Sequence, residues 1–365
     1  MERLCDFNLS LEVLEGCGYN CSDCAVDKTF EPQGSVHPDA EQLLEMVGNL
    51  KALGFRPFEF TLGPTDIASS SNGLALLQSP LVKRLAEHFG SMVISLSLLS
   101  DRGLKELAGA IDAVMGGKRL RVITPVTVKN TKNVKYIQKL QERLALLKGY
   151  LKETDLYASY LTINMFKDNV EQFDADYHRT AMGISLGPRT TVEYSFAHSR
   201  GGFENLLRQE QFKRDLYKFT QIIADNDESF SGQLLHDPFD GIELGYRDGK
   251  LYYIPVVMEK FPIFDQFFEI PKPWSTETVM GFKEEQYHTN LVTFTSHPTC
   301  ADCCHVNTCT HGDLHTTMRY LKIDHCPLGL KNRTDLIRTF GKDLAYCGQA
   351  LEQLPVEQRG RHHDS

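Results

Sequence analysis

Apolar and polar residues alternate with period two from Phe7 to Glu15, where Leu9, Leu11 and Val13 share one side, so the pattern predicts a strand. Between about Pro38 and Leu53 the period lengthens. Leu43, Val47 and Leu50 fall on one helical face there, and a short strand is expected from Pro57 to Leu62. The exchange of periods then repeats. Helix Leu81 to Phe89 precedes strand Met92 to Leu98, and helix Leu104 to Met115 precedes strand Leu120 to Val128. A long helix over about Val134 to Leu151 carries the stripe Val134, Ile137, Leu140, Leu144, Leu147 and Leu151. Strands Tyr160 to Met165 and Thr190 to Phe196 complete roughly six repeats. Strands alternating with helices predict an α/β fold, a mostly parallel sheet covered by helices that takes its ligands at the carboxyl ends of the strands.

The pattern changes after Arg200. Phe212, Leu216, Phe219 and Ile223 are in phase on a helix, and Arg247-Asp248-Gly249-Lys250, flanked by apolar alternation, reads as a β-hairpin. From Phe261 to Cys347 the chain reads as cysteine-rich and irregular, as where a metal site replaces part of a core. Residues Gln358 to Ser365 read as a polar tail. The boundaries expected are 1–200 for the α/β domain, 201–350 for a smaller C-terminal domain and 351–365 for the tail.

Composition narrows the class. With 365 residues, 41% hydrophobic and 24% charged, the chain belongs with globular proteins that bury a real core. Its net charge of −9 argues against a nucleic-acid partner, which needs clustered Lys and Arg. No apolar run approaches the roughly 18 residues of a spanning helix, and Met1-Glu2-Arg3 does not open a signal peptide, so a cytoplasmic protein without membrane contact is expected. Ten cysteines in a long chain of that kind point to reduced thiols serving as metal ligands. None occurs between Cys24 and Cys300, so the thiols form two groups and predict two sites.

The first group is Cys17-Gly18-Tyr19-Asn20-Cys21-Ser22-Asp23-Cys24, directly after the first predicted strand. So short a loop wraps three thiolates around one cluster face. A [4Fe-4S] cluster has four irons, so three protein ligands leave one iron open to chelate a small molecule. S-adenosylmethionine uses such a vacancy: its amino and carboxylate groups bind the iron, and an electron passed to the sulfonium releases a 5′-deoxyadenosyl radical. The competing reading is a zinc site, which needs a fourth ligand and favours paired C-x2-C knuckles.

This C-x3-C-x2-C loop after the first strand resembles the radical S-adenosylmethionine superfamily, over about residues 7–200. The resemblance implies a partial (β/α)6 TIM-like barrel. The superfamily usually has an aromatic residue before its third cysteine, where this chain has Asp23, so Tyr19 becomes the candidate for stacking on the adenine. A Gly-Gly-Glu-Pro-like stretch, whose carbonyls hold the cofactor's amino group, is matched only in part by Thr61-Leu62-Gly63-Pro64-Thr65-Asp66, making Thr61 and Gly63 candidates. That stretch reads equally well as a Gly-Pro turn leaving a strand. By their place in such a barrel, Ser97, Asn164 and Arg200 are further candidates for cofactor contact. As bare residues they read as surface, turn or capping groups.

The second group is Cys300-x2-Cys303-x5-Cys309, followed after sixteen residues by Cys326. Four thiolates close a cluster's coordination and suit electron transfer or structure. The spacing resembles the SPASM domain, an extension of radical enzymes that modify peptides and typically holds two auxiliary clusters. Matched residue by residue, Gly249 is present, but Ile254 and Asp313 stand where two ligands of the inner cluster belong. Cys300, Cys303, Cys309 and Cys326 match the outer cluster's set. The resemblance therefore implies one auxiliary cluster and two [4Fe-4S] clusters in all. A four-cysteine zinc knob is the alternative. Cys304 is a substitute for Cys303, and Cys5 and Cys347 stand apart.

Together these readings lead to a radical enzyme that uses S-adenosylmethionine to abstract a hydrogen from a peptide or protein side chain, for crosslinking, oxidation or epimerisation. Asp237, Asp240 and Asp313 are candidates for an accompanying base, and each equally reads as a solvated turn acid. Sixteen residues precede Cys17, so a peptide substrate is expected to need either a separate leader-peptide-binding partner or a self-contained recognition surface, and a flavodoxin- or ferredoxin-type protein is expected as reductant. The alternatives are the same chemistry on a small metabolite and a non-catalytic zinc-binding interaction protein.

Overall fold

A computed structural model describes residues 6–16, 39–63, 65–98, 101, 103–164, 172–187, 189–195, 242–254 and 268–284. Among them lie nine strands: β1 (Asp6–Glu12), β2 (Arg56–Gly63), β3 (Ser91–Ser95), β4 (Arg119–Thr127), β5 (Asp155–Asn164), β6 (Thr190–Ser195), β7 (Ile242–Arg247), β8 (Lys250–Ile254) and β9 (Phe268–Ile270). They join in one sheet in the order β6-β5-β4-β3-β2-β1-β7-β8-β9. Strands β1 to β6 are parallel, β7 lies parallel to β1 on its other side, and β8 and β9 follow antiparallel.

Helices α1 (Ala40–Ala52), α2 (Gly73–Leu77), α3 (Pro80–His88), α4 (Leu104–Met115), α5 (Val128–Thr131), α6 (Val134–Tyr150) and α7 (Ala175–Met182) lie between the parallel strands. From β1 to β6 each new strand is added on the same side of the last, so right-handed crossovers carry the connecting helices to one face of the sheet. Burial follows that geometry. Phe7, Leu9 and Leu11 of β1 enter the core with Leu43, Val47 and Leu50 of α1, while Asn8, Ser10 and Glu12 point to the opposite face and stay partly exposed. Phe89 anchors the same core, its ring 5.2 Å from Phe7 and 5.6 Å from Phe60. Each such side chain, fully buried, contributes roughly 1.5–3 kcal/mol relative to exposure.

Local chemistry sets the helix starts. Ser79 accepts from the Val82 amide at 3.3 Å with Pro80 in the first turn of α3, Asn133 accepts from Tyr136 at 3.2 Å on α6, and Asp174 accepts from Tyr177 at 2.7 Å on α7. The hairpin stands where Arg247 to Lys250 predicts it. Asp248 and Gly249 both take positive φ, 48° and 74°, as a two-residue turn between right-twisted strands requires.

Several boundaries differ from expectation. β5 begins at Asp155 rather than Tyr160, because Asp155 already pairs with Arg119 and a bulge after Leu120 breaks the alternation that would reveal the earlier start. β3 stops at Ser95 instead of running to Leu98, because Leu98 turns to φ 53°. Val134 is 68% exposed at the start of α6, so that helix buries Ile137, Leu140, Leu144 and Leu147 but not the first residue of its stripe. Within the stretch from Phe261 onward read as irregular, β9 pairs with β8 and a helix spans 276–284. The predicted helix through Phe212 and Ile223 lies outside the described residues. No helix among the described residues is long and apolar enough to cross a membrane.

Candidate functional site

In a parallel sheet the carboxyl ends of all strands lie along one edge. β1 ends at Glu12, and the described chain stops at Gly16, one residue before Cys17. β2 ends at Gly63, Ser97 lies two residues beyond β3, and β5 ends on Asn164. The fold therefore gathers Thr61, Gly63, Ser97 and Asn164 at the end of the sheet from which the first cysteine loop departs. Cys17, Tyr19, Cys21, Cys24, Arg200, Asp237, Asp240, Cys300, Cys303, Cys309, Asp313 and Cys326 lie outside the described residues, as does the side chain of Asn164.

The exit of β1 is tied to the loop after β2. The Gly63 carbonyl accepts from the amides of Val13 at 2.8 Å and Leu14 at 2.9 Å, which uses both of its lone pairs. That carbonyl therefore faces β1 rather than the crevice. A Cβ on Gly63 would meet no described residue within 4 Å. Further along, Asn72 bonds both ways with the chain before Cys17, donating to the Val13 carbonyl at 2.8 Å and accepting from the Glu15 amide at 2.9 Å.

Ser97 is held on both sides. Its amide donates to the buried Asp66 carboxylate, which also accepts from Ser69 N at 2.9 Å. The next residue, Leu98, sits at φ 53°, a strained conformation for a bulky side chain, and its carbonyl accepts from Arg143 of α6 at 2.6 Å. The Ser97 hydroxyl is buried and has no hydrogen-bond partner among the described residues. A buried orphan hydroxyl between two fixed backbone groups is what a bound polar ligand satisfies.

The face opposite the helices is polar. Glu12 of β1 faces Arg247 of β7 at 3.5 Å, and both are partly exposed. Burial pushes the Glu12 carboxyl up, Arg247 pulls it down, and Asp248 adds a smaller upward push. Toward the amino end of the strands, Glu59, Arg121 and Tyr157 close on one another: Arg121 Nη1 lies 2.9 Å from Glu59, and the Tyr157 hydroxyl donates to Glu59 at 2.6 Å. Asp66, Asn72, Arg143 and Glu12 are the site residues that sequence reasoning missed. Asp66 closes the stretch that begins at Thr61, and that position is the signal that marks it. An Asn before an apolar run, as at Asn72, reads only as a helix cap.

By the chemistry of their donors, the residues present fit an iron-sulfur cluster. Three thiols within eight residues suit a cluster with one open iron. Gly16, the last described residue before them, follows Val13 and Leu14, whose amides bond to the Gly63 carbonyl at the end of β2.

No family model matches the sequence. A search of curated proteins also gives no match. Among solved structures the chain is similar to hexahistidine-tagged anSMEcpe with bound AdoMet, at 13% identity and a TM-score of 0.49 over 94% of this chain and 99% of that one. It is similar to native anSMEcpe with bound AdoMet and Cp18Cys peptide, at 12% identity and a TM-score of 0.48 over the same shares. A third likeness is to Streptococcus suis SuiB bound to precursor peptide SuiA, at 13% identity and a TM-score of 0.44 over 86% of this chain and 72% of that one.

Proposed function

We propose that this chain is a radical S-adenosylmethionine enzyme that abstracts a hydrogen atom from a peptide or protein side chain. The observation that carries the reading is placement: the Cys17, Cys21 and Cys24 loop begins one residue past Gly16, at the end of a parallel sheet where ligands bind. The one-directional order of β1 to β6 supports a partial (β/α)6 barrel, whose interior would be the polar face bearing Ser10, Glu12 and Thr61. A barrel over 1–200, a SPASM-like region over 201–350 and a tail over 351–365 remain the proposed division.

Cys17, Cys21 and Cys24 hold three irons of a [4Fe-4S] cluster and leave the fourth for S-adenosylmethionine. Bound there and supplied with an electron by an external reductant, the two groups would provide the chemistry of hydrogen-atom abstraction. The chain's own groups seat and orient. Ser97, immobilised by Asp66 and beside the carbonyl that Arg143 holds, offers its hydroxyl to the cofactor's polar end. Thr61, Gly63 and Asn164 line the same end of the sheet. Tyr19 would be the group to stack on the adenine, and Arg200 a further candidate for cofactor contact. Cys300, Cys303, Cys309 and Cys326 would hold one auxiliary cluster able to accept the electron from a substrate radical, and Asp237, Asp240 or Asp313 would take the proton released with it. The SPASM-like spacing supports a peptide substrate delivered by a separate leader-binding partner, with a flavodoxin- or ferredoxin-type reductant in a reducing cytoplasm.

Anaerobic purification and metal analysis test this. The reading expects a brown protein with about eight irons, the content of two [4Fe-4S] clusters. Alanine at Cys300 or Cys326 lowers the iron content while Cys17, Cys21 and Cys24 keep theirs. A colourless protein carrying zinc overturns it. Deuterium moving from a labelled peptide into deoxyadenosine assigns the substrate class; movement from a small metabolite instead overturns that part.

A further inference from the structure

We propose that Asn72 is a positioning residue for the first cysteine loop: its side-chain amide acts as a neighbouring strand for the chain just past β1 and fixes where Cys17 leaves the sheet. The inference rests on the reading of Cys17, Cys21 and Cys24 as cluster ligands.

The β1 ladder to β2 stops at Glu12 and Gly63. Residues 13–15 have no strand beside them, yet five of their backbone groups are bonded. The Val13 and Leu14 amides donate to the Gly63 carbonyl at 2.8 and 2.9 Å. Asn72 Nδ2 donates to the Val13 carbonyl at 2.8 Å, and Asn72 Oδ1 accepts from the Glu15 amide at 2.9 Å. The Glu15 carbonyl accepts from the Ser71 amide at 2.9 Å and from its hydroxyl at 3.1 Å. Gly16 then turns at φ 56°, so close to Ser71 that an added Cβ would stand 3.3 Å from its hydroxyl.

What Asn72 forgoes shows what its side chain serves. It stands at the N-cap of α2, where an Asn side chain ordinarily accepts from the helix's own free amides. Here it makes no such bond, and α2 begins uncapped. Both ends of the amide group go to the segment that delivers Cys17. Asn72 is itself well founded. Its loop is braced to the exit of β3 through Ile67 N to Ser95 O at 3.1 Å and through Asp66 to the Ser97 amide. The exits of β1, β2 and β3 thus form one block, with the cysteine loop leaving from it.

The test uses the full chain, purified without oxygen, as wild type, Asn72→Ala and Asn72→Asp. Asparagine has a donor and an acceptor, aspartate keeps only the acceptor for Glu15, and alanine keeps neither. Amide hydrogen exchange at Glu15 is expected to speed up about fivefold or more in Asn72→Ala, the factor a lost net hydrogen bond gives, and less in Asn72→Asp. The electron paramagnetic resonance spectrum of the reduced cluster should shift in g-values in the same order. Asp112→Asn, which weakens a loop on another part of the fold, serves as the control for general destabilisation and should leave the spectrum as in wild type. Unchanged exchange at Glu15 overturns the clamp. Faster exchange with a wild-type spectrum overturns the positioning role. A wild-type chain that takes up no iron overturns the functional reading and this inference with it, and the exchange result tells that failure from the first.

Discussion

Glu59 lies on the face opposite the helices with its side chain only 8% exposed, and two partners meet it there: Arg121 at 2.9 Å and the Tyr157 hydroxyl at 2.6 Å. Arg121 also donates to that hydroxyl from Nε at 3.0 Å and Nη2 at 2.6 Å, so the three side chains close a ring. Burial, and then the bond to Glu59, push the Tyr157 phenol up, which keeps it protonated as the donor. Arg121→Met strands the carboxylate, and we expect a loss of about 3 kcal/mol, read from the urea midpoint. A shift within about 0.5 kcal/mol, the range of an ordinary surface change, contradicts the pairing. Gly16→Ala forces a side chain into the left-handed region against Ser71 and should cost about 1–2 kcal/mol in the same assay. The cysteines stand out in the sequence because their spacing alone points to shared sites. Asn72 and Asp66 were not, since a polar side chain in a loop acquires its role only when folding brings Val13, Glu15 and Ser97 beside it.

At the scale of elements, the turn into β5 hangs on the end of α4. The Asp112 carboxylate accepts from the amides of Lys152 at 2.7 Å, Glu153 at 3.3 Å and Thr154 at 2.9 Å. Burial works to raise its pKa, but these amide bonds outweigh burial and hold the carboxyl below its ordinary value of 3.8. The sign follows: the group's contribution is fully present above the unfolded value and is lost as pH falls through the depressed folded one. Asp112→Asn should therefore destabilise the wild type at pH 7, by about 1–2 kcal/mol, and the difference should shrink as pH falls below the ordinary value, followed by thermal melts. A difference independent of pH contradicts the carboxylate's role. Elements with long stripes were readable: α1 and α6 bury the residues their periods predict, apart from the exposed Val134 and from Leu151, the C-cap of α6, which is only partly buried. Short ones were not. α7 spans 8 residues and buries Tyr177, His178 and Ala181, and β9 spans 3, too few for a period to show.

At the scale of the molecule, one ladder runs from β6 to β9 through β1, so the strand that leads to Cys17 is central, flanked by β2 and β7. A central strand is the stiffest place from which to hang a ligand loop, because both of its sides are hydrogen-bonded. The parallel α/β class was legible in the alternation of periods. The parallel pairing of β7 with β1 was not, because it joins residues more than two hundred positions apart and rests on no local pattern. On the proposed function, Cys17, Cys21 and Cys24 would hold a cluster that cleaves S-adenosylmethionine. The most direct measurement is 5′-deoxyadenosine release from S-adenosylmethionine by the reconstituted, dithionite-reduced protein, in wild type and with alanine at each of the three cysteines. Release by the wild type and none by the three variants is the expected result. No release by an iron-loaded wild type, or equal release by the variants, contradicts it.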